Sequence, residues 1–256
     1  PKQRWFRDPA FRRAISLATD RDAIRRLVFA QRAASIWQPV SPAQSAWFND
    51  RLPRPARSTN AARQLLTNAS YRWNAEGRLL DSSGAAVEFT IAVNAANAQH
   101  RQIATLLEQD LRDLGIRLQI APLEFRRLVD RILRTRDYDG AIMALAAGDA
   151  DPGPEMSVWL SSGRSHFWNL NPVELEPWER EIDTLMRQQM TTIDPAARRR
   201  LYFRVQEIAQ QQLPLICLAS PHVLTAAQRS LRNLKRNTLP PYALANVDEL
   251  FWEPQP

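Results

Sequence analysis

The spacing of apolar residues switches between two periods in the middle of the chain, and this switching restricts the fold more than any other feature. Apolar residues alternate over 87–93 and again over 116–120, which is the period of a half-buried strand. Between these segments, residues 103–114 carry apolar side chains every three to four positions, which is the period of an amphipathic helix. Strands joined by helices predict an α/β fold.

The same alternation continues toward the C-terminus. Residues 125–133 have the helical period, and the apolar run Ala141–Ala147 suits a fully buried strand. The order is therefore strand, helix, strand, helix, strand, with short connections. It predicts a mostly parallel central sheet built from residues 87–93, 116–120 and 140–146, with right-handed crossovers.

Several local signals predict the flanking elements. Asp8-Pro9 and Asp194-Pro195 each place a capping carboxylate before a proline, which predicts a helix that begins at the proline. Thr19 and Asp22 resemble a capping box, so they predict a helix restart. The remaining expectations are helices over 61–69 and 175–186, a buried strand over Pro214–Ala219, and a proline-rich coil over 37–58.

Residues 148–173 interrupt the alternation with Gly, Pro, Asp and Asn. They follow the carboxyl end of a strand that we expect to be central in the sheet. Open α/β sheets bind their ligands at that end of their strands. The sequence therefore predicts that this loop contributes to a ligand site.

Composition excludes several kinds of site. A single cysteine, Cys217, excludes an internal disulfide and a cysteine-cluster metal site, and it reads as a small buried side chain in an apolar strand. Asp149, Asp151 and Gly153 resemble the start of a calcium loop, but the twelfth position is Leu160 rather than Glu. No HExxH, GxSxG or glycine-rich phosphate motif occurs. We therefore expect no metal, no cofactor and no catalytic activity.

Positive charge is concentrated near the start of the chain. Residues 1–60 contain 12 Lys and Arg against 4 Asp and Glu, while the whole chain carries a net charge of +7. Such a segment can attract nucleic acid. The arginines are nevertheless scattered over amphipathic helices instead of forming a tract with stacking aromatic residues, so no nucleic-acid partner is expected.

A series of short motifs follows one another in a specific order and spacing along the chain. The motifs are Phe6–Ala14 followed by Ala18–Arg21, Pro39–Pro42, Ala61–Leu66 before Tyr71, Gly77 with Asp81–Gly84, Leu111–Ile116, Tyr138-Asp139, Asp149–Pro152 and Asp194–Pro214. As a set they resemble the peptide- and nickel-type extracytoplasmic solute-binding proteins of ABC importers, family 5 or cluster C. The resemblance covers the C-terminal half of such proteins.

This resemblance implies a periplasmic-binding-protein-like lobe of type II. Residues 1–220 would form the second lobe of a two-lobe protein, and residues 221–256 would be a tail that returns to the first lobe. Because the chain starts at Pro1 without Met, we expect it to be a piece of a longer protein whose first lobe begins upstream. The full-length protein would be a monomer in the periplasm or outside the cytoplasmic membrane. It would deliver a peptide, or another small solute such as a sugar or a nickel chelate, to an ABC permease.

The resemblance also implies site residues. In peptide-binding relatives an acidic residue after the last central strand pairs with the amino terminus of the peptide, and Asp149 matches it by position. Trp168 and Asn169 lie where the family has an aromatic and polar loop. The alternatives are that Asp149 or Asp151 only caps a short helix, and that Trp168 only packs in the core. The chain departs from the family at 145–147, where a Trp is common and none occurs.

A second function remains open at this point. The same fold could be a ligand-sensing module at the C-terminus of a DNA-binding regulator, and the basic first 60 residues are the feature that favours it. The sequence upstream of the chain would separate the two, because a signal peptide indicates transport and a helix-turn-helix indicates regulation.

Overall fold

The structure is a computed structural model that describes residues 2–145, 151–170, 172–238 and 240–253. Its α-helices are α1 (Lys2–Arg7), α2 (Pro9–Ala18), α3 (Arg21–Ala23), α4 (Thr59–Asn68), α5 (Ala98–Arg112), α6 (Phe125–Asp130), α7 (Met156–Trp159), α8 (Pro177–Thr191) and α9 (Pro195–Gln212). Its strands are β1 (Ala33–Ser35), β2 (Arg72–Trp73), β3 (Leu79–Leu80), β4 (Glu88–Asn94), β5 (Arg117–Leu123), β6 (Gly140–Ala141), β7 (Ala219–Pro221), β8 (Leu231–Arg232) and β9 (Phe251–Trp252). One turn of π-helix extends α3 over Ile24–Val28 and another extends α6 over Arg131–Thr135, and short 3-10 turns cover Gly153–Glu155, Tyr242–Leu244 and Val247–Glu249.

A three-stranded parallel sheet lies at the centre, in the order β5-β4-β6. Glu88 pairs with Arg117 at one end of β4 and Ile91 pairs with Gly140 on its other side, both in parallel register. The predicted α/β class and the parallel pairing of these three segments are therefore confirmed. Helix α5 connects β4 to β5, and α6 with its π-turn connects β5 to β6.

The third strand differs from the prediction. It was expected over 140–146 as a central, fully buried strand, but among the described residues β6 covers only Gly140–Ala141 and pairs with β4 alone. Ala146 lies outside the described residues. Met143 and Leu145 are 36% and 42% exposed. These residues are apolar because they line a cleft. Their composition is therefore that of a buried strand, although no layer of protein covers them.

The strand predicted over Pro214–Ala219 is also wrong in its position. Pairing begins only at Ala219, where β7 runs antiparallel to β1. The Leu218 oxygen still accepts from the Ile36 amide at 3.2 Å, but the Cys217 oxygen accepts from the guanidinium of Arg21 at 2.9 Å. Cys217 thus lies in an irregular segment next to an arginine, and not in a strand.

The capping signals are mostly correct. Asp8 accepts from the Ala10 amide at 2.8 Å, and Asp194 accepts from the first amides of α9. The restart after α2 differs: Asp20 caps α3 by accepting from Ala23 N at 2.8 Å. Thr19 instead closes α2, because its hydroxyl donates back to the Ile15 carbonyl at 2.8 Å.

Two main clusters of buried side chains hold these elements. The larger packs α2, α4 and α5 against the sheet around Phe11, Leu66 and Leu111. The second packs α7, α8 and α9 around Trp159 and Tyr202. Among the helices of the described residues, none combines the length and the apolar composition that crossing a bilayer requires.

Candidate ligand-binding site

A cleft of about 2260 Å³ extends past β6 and is lined by residues from the first two helices, the segments around β1, the start of α5, the loop before α8 and residues 212–226. Its apolar lining includes Ile91, Met143, Leu145, Phe167, Trp168 and Trp178. Aromatic and aliphatic walls with a few polar groups are typical of sites for small organic ligands.

One wall of the cleft is an aromatic loop. The hydroxyl of Tyr138, which precedes β6, donates to the Phe167 carbonyl at 2.6 Å and so ties this loop to the sheet. The ring of Trp168 packs 5.8 Å from Trp159 and 6.4 Å from Trp178 between centroids. Trp168 is thus both part of the second core cluster and part of the cleft lining.

The carboxylate of Glu179 on α8 holds the loop through hydrogen bonds. The Glu179 side chain is 1% exposed. Its Oε1 accepts from Trp168 Nε1 at 3.0 Å, and both carboxylate oxygens accept from Asn169 Nδ2 at 3.2 Å. His166 Nε2 lies 3.2 Å from Oε1, and the Glu176 amide donates to Oε2 at 2.9 Å.

Burial disfavours the charged form of Glu179, but these donors outweigh it. The hydrogen bonds from His166, the Glu176 amide, Asn169 and Trp168 hold the pKa of Glu179 below its ordinary value of 4.5. The carboxylate is therefore ionised at neutral pH and acts as the internal anion around which the loop is arranged.

These contacts locate the site residues that the sequence suggested. Trp168 and Asn169 lie together on the cleft, and the Trp168 indole N–H and the Asn169 amide are directed at Glu179. Asp149 lies outside the described residues. Whether these three side chains contact a ligand stays a prediction.

Asp151 has a structural partner. Its two carboxylate oxygens accept from Arg198 of α9 at 2.5 and 2.7 Å, and Oδ1 also accepts from the Gly153 amide at 2.7 Å. The hydrogen bond from Arg198 is the main cause that lowers the pKa of Asp151. This carboxylate closes a short turn and fixes it to α9.

A second acidic side chain, Glu155, is buried beside the aromatic core. It accepts hydrogen bonds from the Tyr202 hydroxyl and from Trp159 Nε1. Burial raises the pKa of Glu155 above 4.5 although both donors act in the opposite direction. This group supports the packing of α7 on α9 and does not line the cleft.

Two further features of the described residues bear on metal binding and on the reactivity of the single thiol. Within the ranges that the structure describes, no three His, Cys, Asp or Glu side chains are grouped as metal ligands. Burial raises the pKa of the Cys217 thiol to about 12, so it is a poor nucleophile at neutral pH. The arrangement is suited to binding a solute.

Sequence reasoning missed the part played by Glu179. Its side-chain donors lie 10 to 13 positions upstream, and no local pattern connects them to the helix. One signal was available: Glu176, Pro177 and Glu179 have the spacing of a capping box with proline at the first helical position, and that box is present.

Comparison with known proteins gives one family. The family described as "Bacterial extracellular solute-binding proteins, family 5 Middle" matches residues 1–167. The oligopeptide-binding protein AppA of Bacillus subtilis is 24% identical over 256 residues, which cover 98% of this chain and 45% of AppA. The glutathione-binding protein GsiB of Escherichia coli is 24% identical over 243 residues, which cover 90% of this chain and 42% of GsiB. The chain thus spans less than half the length of these curated relatives.

Solved structures agree on the fold. AppA of Bacillus subtilis in complex with a nonapeptide superposes with a TM-score of 0.76 at 21% identity, over 98% of this chain and 49% of AppA. The periplasmic binding protein MelB of Agrobacterium fabrum in complex with stachyose gives a TM-score of 0.78 at 22% identity, over 86% of this chain and 34% of MelB. The periplasmic-binding-protein-like architecture expected from the sequence is confirmed.

Proposed function

The chain belongs to family 5 of the bacterial extracellular solute-binding proteins, and from that membership we propose that it is part of the substrate-binding component of an ABC transporter. Outside the cytoplasmic membrane, in the periplasm where the cell has one, it captures a peptide or a similar small solute. It then presents that solute to a membrane permease. AppA and GsiB are named for binding oligopeptides and glutathione, which supports a peptide ligand.

The observation that carries the proposal is the cleft along β6. Its volume of about 2260 Å³ exceeds the roughly 300–1,000 Å³ of most small-molecule pockets, and it is partly open to solvent. A cleft of that size needs a second surface to exclude water from a bound solute. We propose that residues 1–220 form one lobe and that a first lobe covers the cleft when ligand binds.

Closure is then a shift between two populations. The ligand stabilises the closed state because it touches both lobes only in that state. The contacts that we propose from this lobe are Trp168 and Asn169 on the aromatic loop and Asp149 for the amino terminus of a peptide. The hydrogen bonds to Glu179 hold the first two in place before ligand arrives, which lowers the ordering cost of binding.

The regulator alternative receives less support. The named relatives are binding proteins, and the family is described as extracellular. The basic residues of the first 60 positions are in part paired or bonded within the lobe, as in the contacts of Arg57 with Asp110 and of Arg21 with three backbone carbonyls. A DNA-binding partner therefore does not form part of the proposal.

Calorimetry with peptides tests the two-lobe proposal. A protein that carries both lobes should bind its peptide at least ~100-fold more tightly than the 256-residue chain alone, a difference of about 2.7 kcal/mol. Equal affinities for the two proteins would contradict the two-lobe arrangement. Failure of the two-lobe protein to bind any peptide of two to nine residues, with binding of another solute, would reject the peptide class.

A further inference from the structure

The charged side chains that line the cleft are unbalanced. Among the described residues that line it, seven are basic and four are acidic. The basic ones are Lys2, Arg7, Arg12, Arg32, Arg136, Arg180 and Arg236, and the acidic ones are Asp139, Glu174, Glu176 and Glu179. The ion-pair and hydrogen-bond partners of each side chain determine which of these charges are available to a ligand.

Three of the acidic side chains are already engaged. Asp139 accepts from Lys2 Nζ at 2.7 Å and from the Thr90 amide at 2.9 Å. Glu179 is surrounded by the donors of the aromatic loop, and Glu176 closes the capping box at the start of α8. Glu174 is the one lining carboxylate of the described residues without such a role.

Five of the basic side chains are exposed and have no carboxylate within ion-pair distance among the described residues. Lys2 is paired with Asp139, and Arg12 donates to the backbone carbonyls of Phe6 and Gln212. The five others are Arg7, Arg32, Arg136, Arg180 and Arg236. They come from five separate segments of the chain, so positive charge reaches the cleft from several sides.

From this imbalance we infer that the bound solute carries net negative charge, as a peptide with acidic side chains does. The inference rests on the proposed function and narrows its ligand class. A cleft lined by one sign of charge concentrates ligands of the opposite sign. Guanidinium groups also bind carboxylates through two parallel hydrogen bonds, which a closed, water-poor cleft strengthens.

The physical requirement arises on closure. Covering the cleft removes water from the arginines, and a desolvated cation without a counter-charge is costly. Glu174 and the proposed ligand contact Asp149 can balance at most two of the five arginines. The remaining negative charge must come from the ligand or from carboxylates of the facing lobe. We assign it to the ligand.

The test uses the two-lobe protein and three pools of pentapeptides that are identical except at two positions, which carry glutamate, glutamine or lysine. Binding is measured by calorimetry at low and at high salt. The glutamate pool should bind at least ~10-fold more tightly than the glutamine pool, which corresponds to about 1.4 kcal/mol. The lysine pool should bind most weakly, and the preference should shrink at high salt because added ions screen exposed charges.

Two double variants assign the preference to the cleft. Arg32→Gln with Arg136→Gln removes two cleft charges and should reduce the glutamate-to-glutamine ratio toward one. Arg126→Gln with Arg200→Gln removes two exposed arginines that do not line the cleft, and it should leave the ratio unchanged. Both variants change the net charge equally, so a general charge effect would alter both.

The outcomes are distinct. Equal binding of the three pools would overturn this inference and leave the proposed function standing, whereas no binding of any pool would reject the peptide ligand of the proposed function. An unchanged glutamate preference in the Arg32 and Arg136 variant would also overturn it. Small-angle scattering of the same variant without peptide provides one more outcome. Altered lobe closure there would overturn the inference, because it would show that the facing lobe supplies the negative charge.

Discussion

Trp168 donates its indole N–H to the carboxylate of Glu179 at 3.0 Å, so a residue that lines the cleft is oriented by a charge buried beneath it. The carboxylate also accepts from Asn169 and lies 3.2 Å from His166 Nε2. Removing a buried anion that has several donors costs free energy of folding, since each donor is left without an acceptor and is shielded from water. The shape of the aromatic wall therefore depends on the ionised state of one side chain.

Replacing Glu179 by glutamine should destabilise the protein by roughly 2–3 kcal/mol at neutral pH, because an amide group places a donor against donors. The folded-state pKa of Glu179 lies below its ordinary 4.5. Its contribution is thus complete above pH 4.5 and disappears as the pH falls through the folded-state value. Urea unfolding should show the largest gap between wild type and Glu179→Gln above about pH 5, and a narrowing gap below it.

Glu181→Gln is the matched control, since Glu181 lies on the same helix, is exposed and pairs with Arg204 at 2.9 Å. It should change stability by less than about 1 kcal/mol. Equal losses in the two variants, or a gap for Glu179→Gln that does not depend on pH, would show that the buried carboxylate does not organise the loop.

Local periodicity predicted the central architecture because strand and helix have different repeats. The alternation around Val87 and Ile116 is set by one buried and one less buried face, which a sequence records directly. The prolines after Asp8 and Asp194 likewise mark helix starts, since proline at the first helical position loses no hydrogen bond. These features depend on neighbours a few residues away.

Features that depend on distant partners were not predictable. Residues 143–145 are apolar yet exposed, because they face a cleft and not a layer of protein. The Cys217 carbonyl accepts from Arg21, which lies 196 positions away, so residue 217 does not join the strand that begins at Ala219. The loop around Trp168 depends on Glu179 in the same way. Composition cannot distinguish a surface that awaits a ligand from a core.

Gly115 adopts a backbone conformation and a close packing that favour glycine. It follows α5 with a φ of +80°, and a Cβ there would lie 2.3 Å from the Gly77 oxygen and 2.8 Å from the Leu79 nitrogen. Gly115→Ala should therefore cost at least ~2 kcal/mol, from both backbone strain and displacement of the β2–β3 hairpin. Gly140→Ala, whose Cβ would meet only Ile91 at 3.6 Å, should cost less than about 1 kcal/mol in the same thermal unfolding assay. Similar losses in both would refute the close approach at Gly115.

Arg21 joins segments that are far apart in sequence. It is 5% exposed, and its guanidinium donates to Ser16 O at 2.7 Å, Cys217 O at 2.9 Å and Ile36 O at 3.1 Å. Burial lowers its pKa to about 10, so it stays charged at neutral pH. Arg21→Met leaves these carbonyls without a donor and should cost about 3 kcal/mol.

The labelling rate of the single cysteine, Cys217, measures the effect of Arg21→Met on its segment. In the native protein Cys217 should react slowly with iodoacetamide at pH 8, since burial raises its pKa to about 12. Arg21→Met should increase the labelling rate by loosening the segment around Cys217. Arg25→Met, which breaks only a surface pair with Asp22, should leave labelling and stability nearly unchanged. Labelling that is equally slow in all three proteins would show that Arg21 does not hold this segment.

The C-terminal hairpin lies in residues 221–256, the tail that we expect to return to the first lobe. Strands β8 and β9 pair with each other, and Arg232 bonds to Glu253 across them, while Phe251 and Trp252 are 57% and 61% exposed. If this tail belongs to the first lobe, the second lobe does not need it. Ending the chain after Ala226 keeps β7 beside β1 and should lower the melting temperature by no more than about 2–4 °C, the shift that 1 kcal/mol produces in a domain of this size.

Fluorescence completes that test. Iodide should quench Trp252 in the 256-residue chain, identified by its loss in Trp252→Phe, and should not quench it in a protein that carries both lobes. The reason is that two adjacent exposed aromatic side chains form an apolar surface that the first lobe would cover. A truncated chain that fails to fold would contradict the assignment of the tail. So would a Trp252 that remains equally quenchable when both lobes are present.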